Sequence, residues 1–186
     1  MKNNILGLSV LFVIFVSVCS LTSENMNSIF NFSHSSKMND WKVVNDNVMG
    51  GISSASFELN SDGDAEFKGT VSTLNNGGFA SVRYRFRAKD IAGKKTISIR
   101  LKGDSKSYQF RVKSQANDYY SYITTFSTLG NWETIHINLE DLYPSFRGNK
   151  LNKDNFNNSS LEEISFLIAN KKNESFKLII DKIEIN

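Results

Sequence analysis

Apolar and polar residues alternate through most of the chain, and the alternation has the two-residue period of strands rather than the 3.6-residue period of helices. Phe79 to Arg87 sets Ala80, Val82, Tyr84 and Phe86 on one side and Phe79, Ser81, Arg83, Arg85 and Arg87 on the other. One face is apolar and the other basic, as in a half-buried antiparallel strand. Ala55 to Leu59 and Ala65 to Val71 flank Asn60-Ser61-Asp62-Gly63-Asp64 and predict a hairpin. Thr96 to Leu101, Tyr108 to Val112, Tyr119 to Phe126, Trp132 to Leu139, Glu163 to Ala169 and Phe176 to Ile185 continue the pattern. The Ile29-Phe30-Asn31-Phe32 run adds a short first strand. Helical signals are confined to one turn at Leu139 to Leu142 and one at Asn158 to Glu163, where Ser160 stands as a cap toward Glu163. So many strands, separated by turn residues, predict an all-β domain: an antiparallel β-sandwich of the jelly-roll kind.

Two stretches break the alternation. Trp41 to Ser53, WKVVNDNVMGGIS, fits neither period, and its Gly-Gly bars a regular strand. It reads as a shaped loop in which Asp46 and the Gly50-Gly51 turn hold the form while Asn45 and Met49 are the exposed members. Leu74 to Arg83, LNNGGFASVR, is the second. Asn75, Asn76, Gly77 and Gly78 tolerate left-handed backbone and predict a tight turn. The alternative is a polar ligand held by the amides of Asn75 and Asn76 and by Arg83, with Phe79 as an apolar platform.

The chain has 186 residues, a length that suits one domain. Fourteen Phe and six Tyr supply a core. The net charge of +3, with no dense Lys/Arg run, argues against a nucleic-acid partner. Lys2 followed by the apolar run Ile5 to Val18 has the layout of a signal peptide, residues 1–19. That run falls short of the about 20 residues that span a bilayer. A polar linker, 20–28, precedes a domain at 29–186. Export to a periplasm, a cell envelope or the exterior is expected. Cys19 is the single cysteine, so no disulfide forms within the chain. Its lipidation would tether the protein to a membrane, although the bulky Val18 before it suits ordinary cleavage better.

Several chemistries lack their residues. No phosphate loop, dinucleotide fingerprint or nucleophile elbow occurs. His34 and His136 are the only histidines, and no spacing suits a zinc site. No cofactor is expected. Asp62-Gly63-Asp64 reads as a solvated hairpin tip, with a structural calcium as the lesser alternative. Exposed Tyr and Trp rings beside Asn, Asp and Arg would suit a sugar, whose ring offers apolar C–H faces and hydroxyls together. Trp41, Asp104 in Lys102-Gly103-Asp104, and Tyr108 enter the candidate set on that ground. Core or loop-anchor packing is the competing role for Trp41 and Trp132.

The order of motifs resembles the complex I intermediate-associated protein 30 family. The motifs are Trp41 with NDNVMGGIS, then NNGGFASVR, LKGD with Tyr108, Trp132, PSFRG at Pro144 to Gly148, and a closing IDKIEI. Asn47 stands where the family often carries Gly. The resemblance implies a galactose-binding-like β-sandwich akin to carbohydrate-binding modules, with no catalytic residues to carry over. It brings Arg147 into the candidate set. The expected function is a non-catalytic domain binding a protein or glycan partner. The alternatives are an assembly factor for respiratory complex I and a glycan hydrolase using carboxylates such as Asp46 and Asp104, which would have to lie within about 5 to 10 Å of each other. Convergence of Trp41, Asp46, Arg83, Tyr108 and Arg147 on one exposed patch would mark a ligand site. Burial of Trp41, and Asp46 bonded to amides, would mark a structural loop.

Overall fold

The computed structural model describes residues 27–186, with the side chains of Val48 and Met49 outside the description. The leader, the linker up to residue 26 and Cys19 lie outside the described residues. Thirteen strands follow in order: β1 (Ser28–Asn31), β2 (Trp41–Asn45), β3 (Ser54–Leu59), β4 (Ala65–Val71), β5 (Ala80–Asp90), β6 (Thr96–Lys102) and β7 (Ser107–Lys113) come first. The second half holds β8 (Ser121–Ser127), β9 (Trp132–Asn138), β10 (Tyr143–Phe146), β11 (Asn149–Lys150), β12 (Ser160–Ile168) and β13 (Glu174–Ile185).

They form two antiparallel sheets. The first runs β3-β4-β13-β6-β9, with β1 also pairing along β13. The second runs β11-β10-β8-β7-β12-β5-β2. The twelve-residue β13 organises the first sheet: its first half pairs with β4, its end with β1, and its other edge with β6. Alternation explains the layering. Phe67, Ile97, Ile99, Leu101, Leu178 and Ile180 from one sheet meet Val82, Phe110, Ile164 and Phe166 from the other, all 0% exposed. Each such side chain contributes on the order of 1.5–3 kcal/mol by leaving water.

The hairpin at Asn60 to Asp64 forms as expected. Gly63 takes φ 89°, and the Asn60 side-chain carbonyl accepts from the amides of Asp62 and Asp64, both at 2.9 Å. The Leu139 turn is present as a short 3-10 turn, Leu139–Asp141. The expected turn at Asn158 to Glu163 is absent. β12 starts at Ser160, where pairing of Ser160 with Asp90 and Leu161 with Lys89 overrides the local capping pattern.

Candidate binding face

Asp46 is the most constrained polar group in the fold. It follows β2 in a 3-10 turn, Asp46–Met49, and is 0% exposed. Its Oδ1 accepts from the Ser53 amide at 3.0 Å, and its Oδ2 from the Ser53 hydroxyl at 2.5 Å. Oδ2 also accepts from the amides of Gly78 at 2.6 Å and Phe79 at 3.2 Å. Burial alone would raise its pKa. The Ser53 hydroxyl and the amides of Gly78, Phe79 and Ser53 outweigh burial and hold it below the ordinary aspartate value. Two glycines make room. A Cβ on Gly51 would stand 2.3 Å from the carboxyl carbon, and one on Gly77 would stand 2.6 Å from Oδ2. One carboxylate thus ties the two irregular loops together.

The other candidates do not gather around it. Trp41 is a core residue, stacked on Tyr84 at 4.8 Å and 15° and ringed by Phe30, Phe32 and Phe57. Its pairing opposite Tyr84 turns the indole inward. Tyr108 is 1% exposed and gives its hydroxyl to Asp104 at 2.8 Å; burial, then this bond, pushes its pKa far up. Asp104 also accepts from Lys106 Nζ at 2.6 Å and the Lys177 amide at 2.9 Å. Asp46 and Asp104 share no partner, so each is a local knot in the framework. Asn45 is half-buried, its Oδ1 unbonded among the described residues. Met49 ends the Asp46 turn, and its side chain lies outside the description. Asn75 and Asn76 are exposed with φ 56° and 59°, the left-handed turn that their sequence predicted. Arg147 is exposed in the β10–β11 turn, where it and Gly148 both have positive φ, and its guanidinium lies over the Phe146 ring at 5.3 Å. Trp132, expected in the core or a loop anchor, is 40% exposed: it occupies the outward phase of β9, and Arg100 covers its ring at 4.6 Å. His136 is exposed on the same face of β9, in contact with Ser98 at 3.1 Å.

Arg83 stands elsewhere, on the outward face of the seven-stranded sheet. Registers place Lys42, Arg83, Ser165, Arg111, Ile123 and Tyr143 in one row across β2, β5, β12, β7, β8 and β10. A neighbouring row holds Arg85, Glu163 and Lys113, and the row on the other side holds Val44, Ser81, Leu167, Gln109 and Thr125. Ile123 and Leu167 are buried yet stand apart from the inter-sheet core. With the small residues Ser165, Ser81 and Ser121 they make a low apolar and hydroxyl floor between taller side chains. Arg85 Nε donates to Glu163 Oε2 at 2.6 Å. The Ser114 to Tyr120 segment closes one end, with the Ala116 amide bonded to Glu162 at 2.8 Å and Lys113 Nζ to the Asp118 carbonyl at 2.6 Å.

The outward face of the six-stranded sheet is different. Lys68 and Lys177 both reach Glu66 at 2.6 Å, and Arg100 reaches Asp181 at 2.6 Å. Lys182 pairs with Glu184 at 3.1 Å. Lys102 is the cation there without an ion pair among the described residues. A cleft of about 610 Å³ opens at another place, between the β5–β6 turn and the segment before β12, lined by Ile91, Lys94, Asn138, Glu140, Phe156 and Asn158 among others. It contains none of the candidate residues. No group of three or more metal-ligating side chains occurs among the described residues.

Several solved structures share this fold. A family 11 carbohydrate-binding module from Clostridium thermocellum, solved with a β-1,3-1,4-mixed-linked tetrasaccharide, superposes with a TM-score of 0.64 at 17% identity over 86% of this chain and 94% of that one. The same module family from the cellulosomal cellulase Lic26A-Cel5E of that organism gives 0.63 at 17%, over 83% and 91%. An exo-β-agarase matches through 25% of its own length, with a TM-score of 0.54 at 11% identity over 86% of this chain. These likenesses establish the jelly-roll fold. No curated protein matches the chain in sequence. The family model described as Complex I intermediate-associated protein 30 matches residues 30–180.

Proposed function

The chain belongs to the complex I intermediate-associated protein 30 family, and we propose that this member is a non-catalytic domain that binds a glycan across the outward face of its seven-stranded sheet. The row from Lys42 to Tyr143 carries this reading. With the neighbouring row it combines an aromatic ring, an apolar floor at Ile123 and Leu167, hydroxyls and unpaired donors on one surface. A sugar ring needs that mixture: C–H faces against apolar atoms, and hydroxyls against fixed polar groups. The fold shared with a module solved around a tetrasaccharide supports the ligand class. The carboxylates expected for a hydrolase support a binding role instead. Asp46 is saturated by four donors, and Asp104 by three. The apolar leader supports export, with Cys19 as the point of any lipid tether.

Affinity electrophoresis of the full chain through gels containing single polysaccharides tests the reading. Retardation by at least one glycan, without release of reducing sugar, is the expected result. Free migration through every gel, or turnover of a glycan, contradicts it. Family membership favours a second reading, an assembly factor for a membrane respiratory complex. Deleting the gene decides that one: NADH oxidation should fall with complex I assembly, and unchanged assembly counts against it.

A further inference from the structure

The same outward face carries a cluster of positive charge with few partners. Lys42, Arg83, Arg85, Arg111 and Lys113 stand in adjacent rows, and one carboxylate, Glu163, stands among them. Arg85 takes that carboxylate. At the rim, Glu162 accepts the Ala116 amide, and Asp118 accepts the Gln115 amide at 3.4 Å and the Ser114 hydroxyl at 3.5 Å. Lys42, Arg83 and Arg111 then make no ion pair and no side-chain hydrogen bond among the described residues. Arg111 lies in β7, the central strand of the seven, and its Nε is shut off from solvent without an acceptor. Arg111 is half-buried, and a cation partly withdrawn from water without a partner is costly. Burial lowers its pKa, Glu163 opposes the shift, and Arg83 across the sheet adds to it. The backbones of Arg83 and Arg111 are two strands apart, about 10 Å, with only the small Ser165 between them. An incoming anion would relieve both.

We propose that the glycan is anionic, a chain bearing carboxylate or sulfate groups, one of which sits over Ser165 between Arg83 and Arg111. This inference rests on the glycan-binding reading above. An acidic peptide fits the face less well. The strands there are interior, with backbone groups already paired in the ladder, so a peptide gains no main-chain hydrogen bonds of the kind that edge strands offer. Tyr143, next to Ile123 in the row, offers a ring for stacking with Lys150 already held over it at 5.3 Å.

Titration calorimetry of the full chain against polygalacturonate, heparin, neutral mixed-linked β-glucan and polyglutamate tests the inference. Polygalacturonate or heparin should bind and the neutral glucan should not; which of the two binds tells carboxylate from sulfate. Arg111→Gln should weaken that binding ~10- to 100-fold, the scale of a charge-assisted hydrogen bond. Lys102→Gln removes one charge from the opposite face and should leave binding unchanged; thermal unfolding confirms that both variants are folded. Binding of the neutral glucan alone overturns the anionic ligand while the glycan reading stands. Binding of none of the polysaccharides overturns both. Polyglutamate binding as tightly as either acidic glycan, and lost equally in Arg111→Gln, overturns the glycan in favour of an acidic peptide.

Discussion

Asp46 is fully buried and Arg111 half-buried, and the fold treats these two ionised groups in opposite ways. Asp46 accepts four hydrogen bonds and sits between two glycines that leave room for nothing larger. Arg111 lies in the middle of a sheet with its Nε unmet and Arg83 nearby. A satisfied buried charge stabilises the framework. An unsatisfied one costs stability, and a protein that keeps it has a reason outside its own packing. The first residue therefore belongs to the structure, and the second is assigned to the ligand in the proposal above.

The contrast is easiest to break at Asp46. Asp46→Ala leaves the Ser53 and Gly78 donors without an acceptor and should cost about 3–5 kcal/mol, read from urea unfolding. A loss under 1 kcal/mol would mean that the loop is held by other contacts. Gly51→Ala should cost a comparable amount because its Cβ would collide with the same carboxyl, 2.3 Å away. Arg111→Met should behave oppositely. Removing an unpaired, half-buried cation should leave stability within about 1 kcal/mol of the parent or raise it. A large loss there would place Arg111 in the framework as well.

Acid sharpens the same difference. The folded pKa of Asp46 lies below its unfolded value, so its contribution is fully present above the ordinary aspartate range of about 3.9 and is lost as pH falls through the folded value. Asp46→Asn should flatten the acid limb of the stability curve, and an unchanged limb would contradict the assignment. Asp64 provides the smallest effect. Burial first, and Asp181 next, raise its pKa. Its contribution is present at low pH and lost as pH rises through the folded value. Asp64→Asn should then stabilise the protein at neutral pH by less than about 1 kcal/mol; destabilisation would contradict this.

The sandwich was legible because alternation is a local signal. Ala80 and Val82 could be assigned inward, and Arg83 and Arg85 outward, from period alone. Ser160 was misleading: Asn-Asn-Ser-Ser before Leu161 has the chemistry of a helix start, and only pairing with Asp90 makes it a strand. The shape-holding role of Asp46 was legible from its place between Asn45 and the Gly-Gly turn, but its bond to Gly78 spans 32 residues and no local pattern reveals it. The binding face was legible only in part. Arg83 stood out in a basic row, whereas Arg111 occupies the polar phase of Tyr108 to Val112 without local distinction. What sets it apart is the register that puts Ser165 and Arg83 beside it, and register between distant strands is not written in either strand alone. Trp41 and Tyr108 drew attention as sugar-stacking rings, yet the inward phase of their strands commits both to the core.

The central claim is that the ligand lies on the Arg83–Arg111 row. Backbone amide shifts of the full chain, followed by NMR during titration with trigalacturonate, locate the contact directly. The largest changes should fall on Arg83, Arg111, Ile123, Tyr143 and Ser165. Changes centred instead on the cleft at Ile91, Asn138 and Phe156, with that row unmoved, would contradict the account.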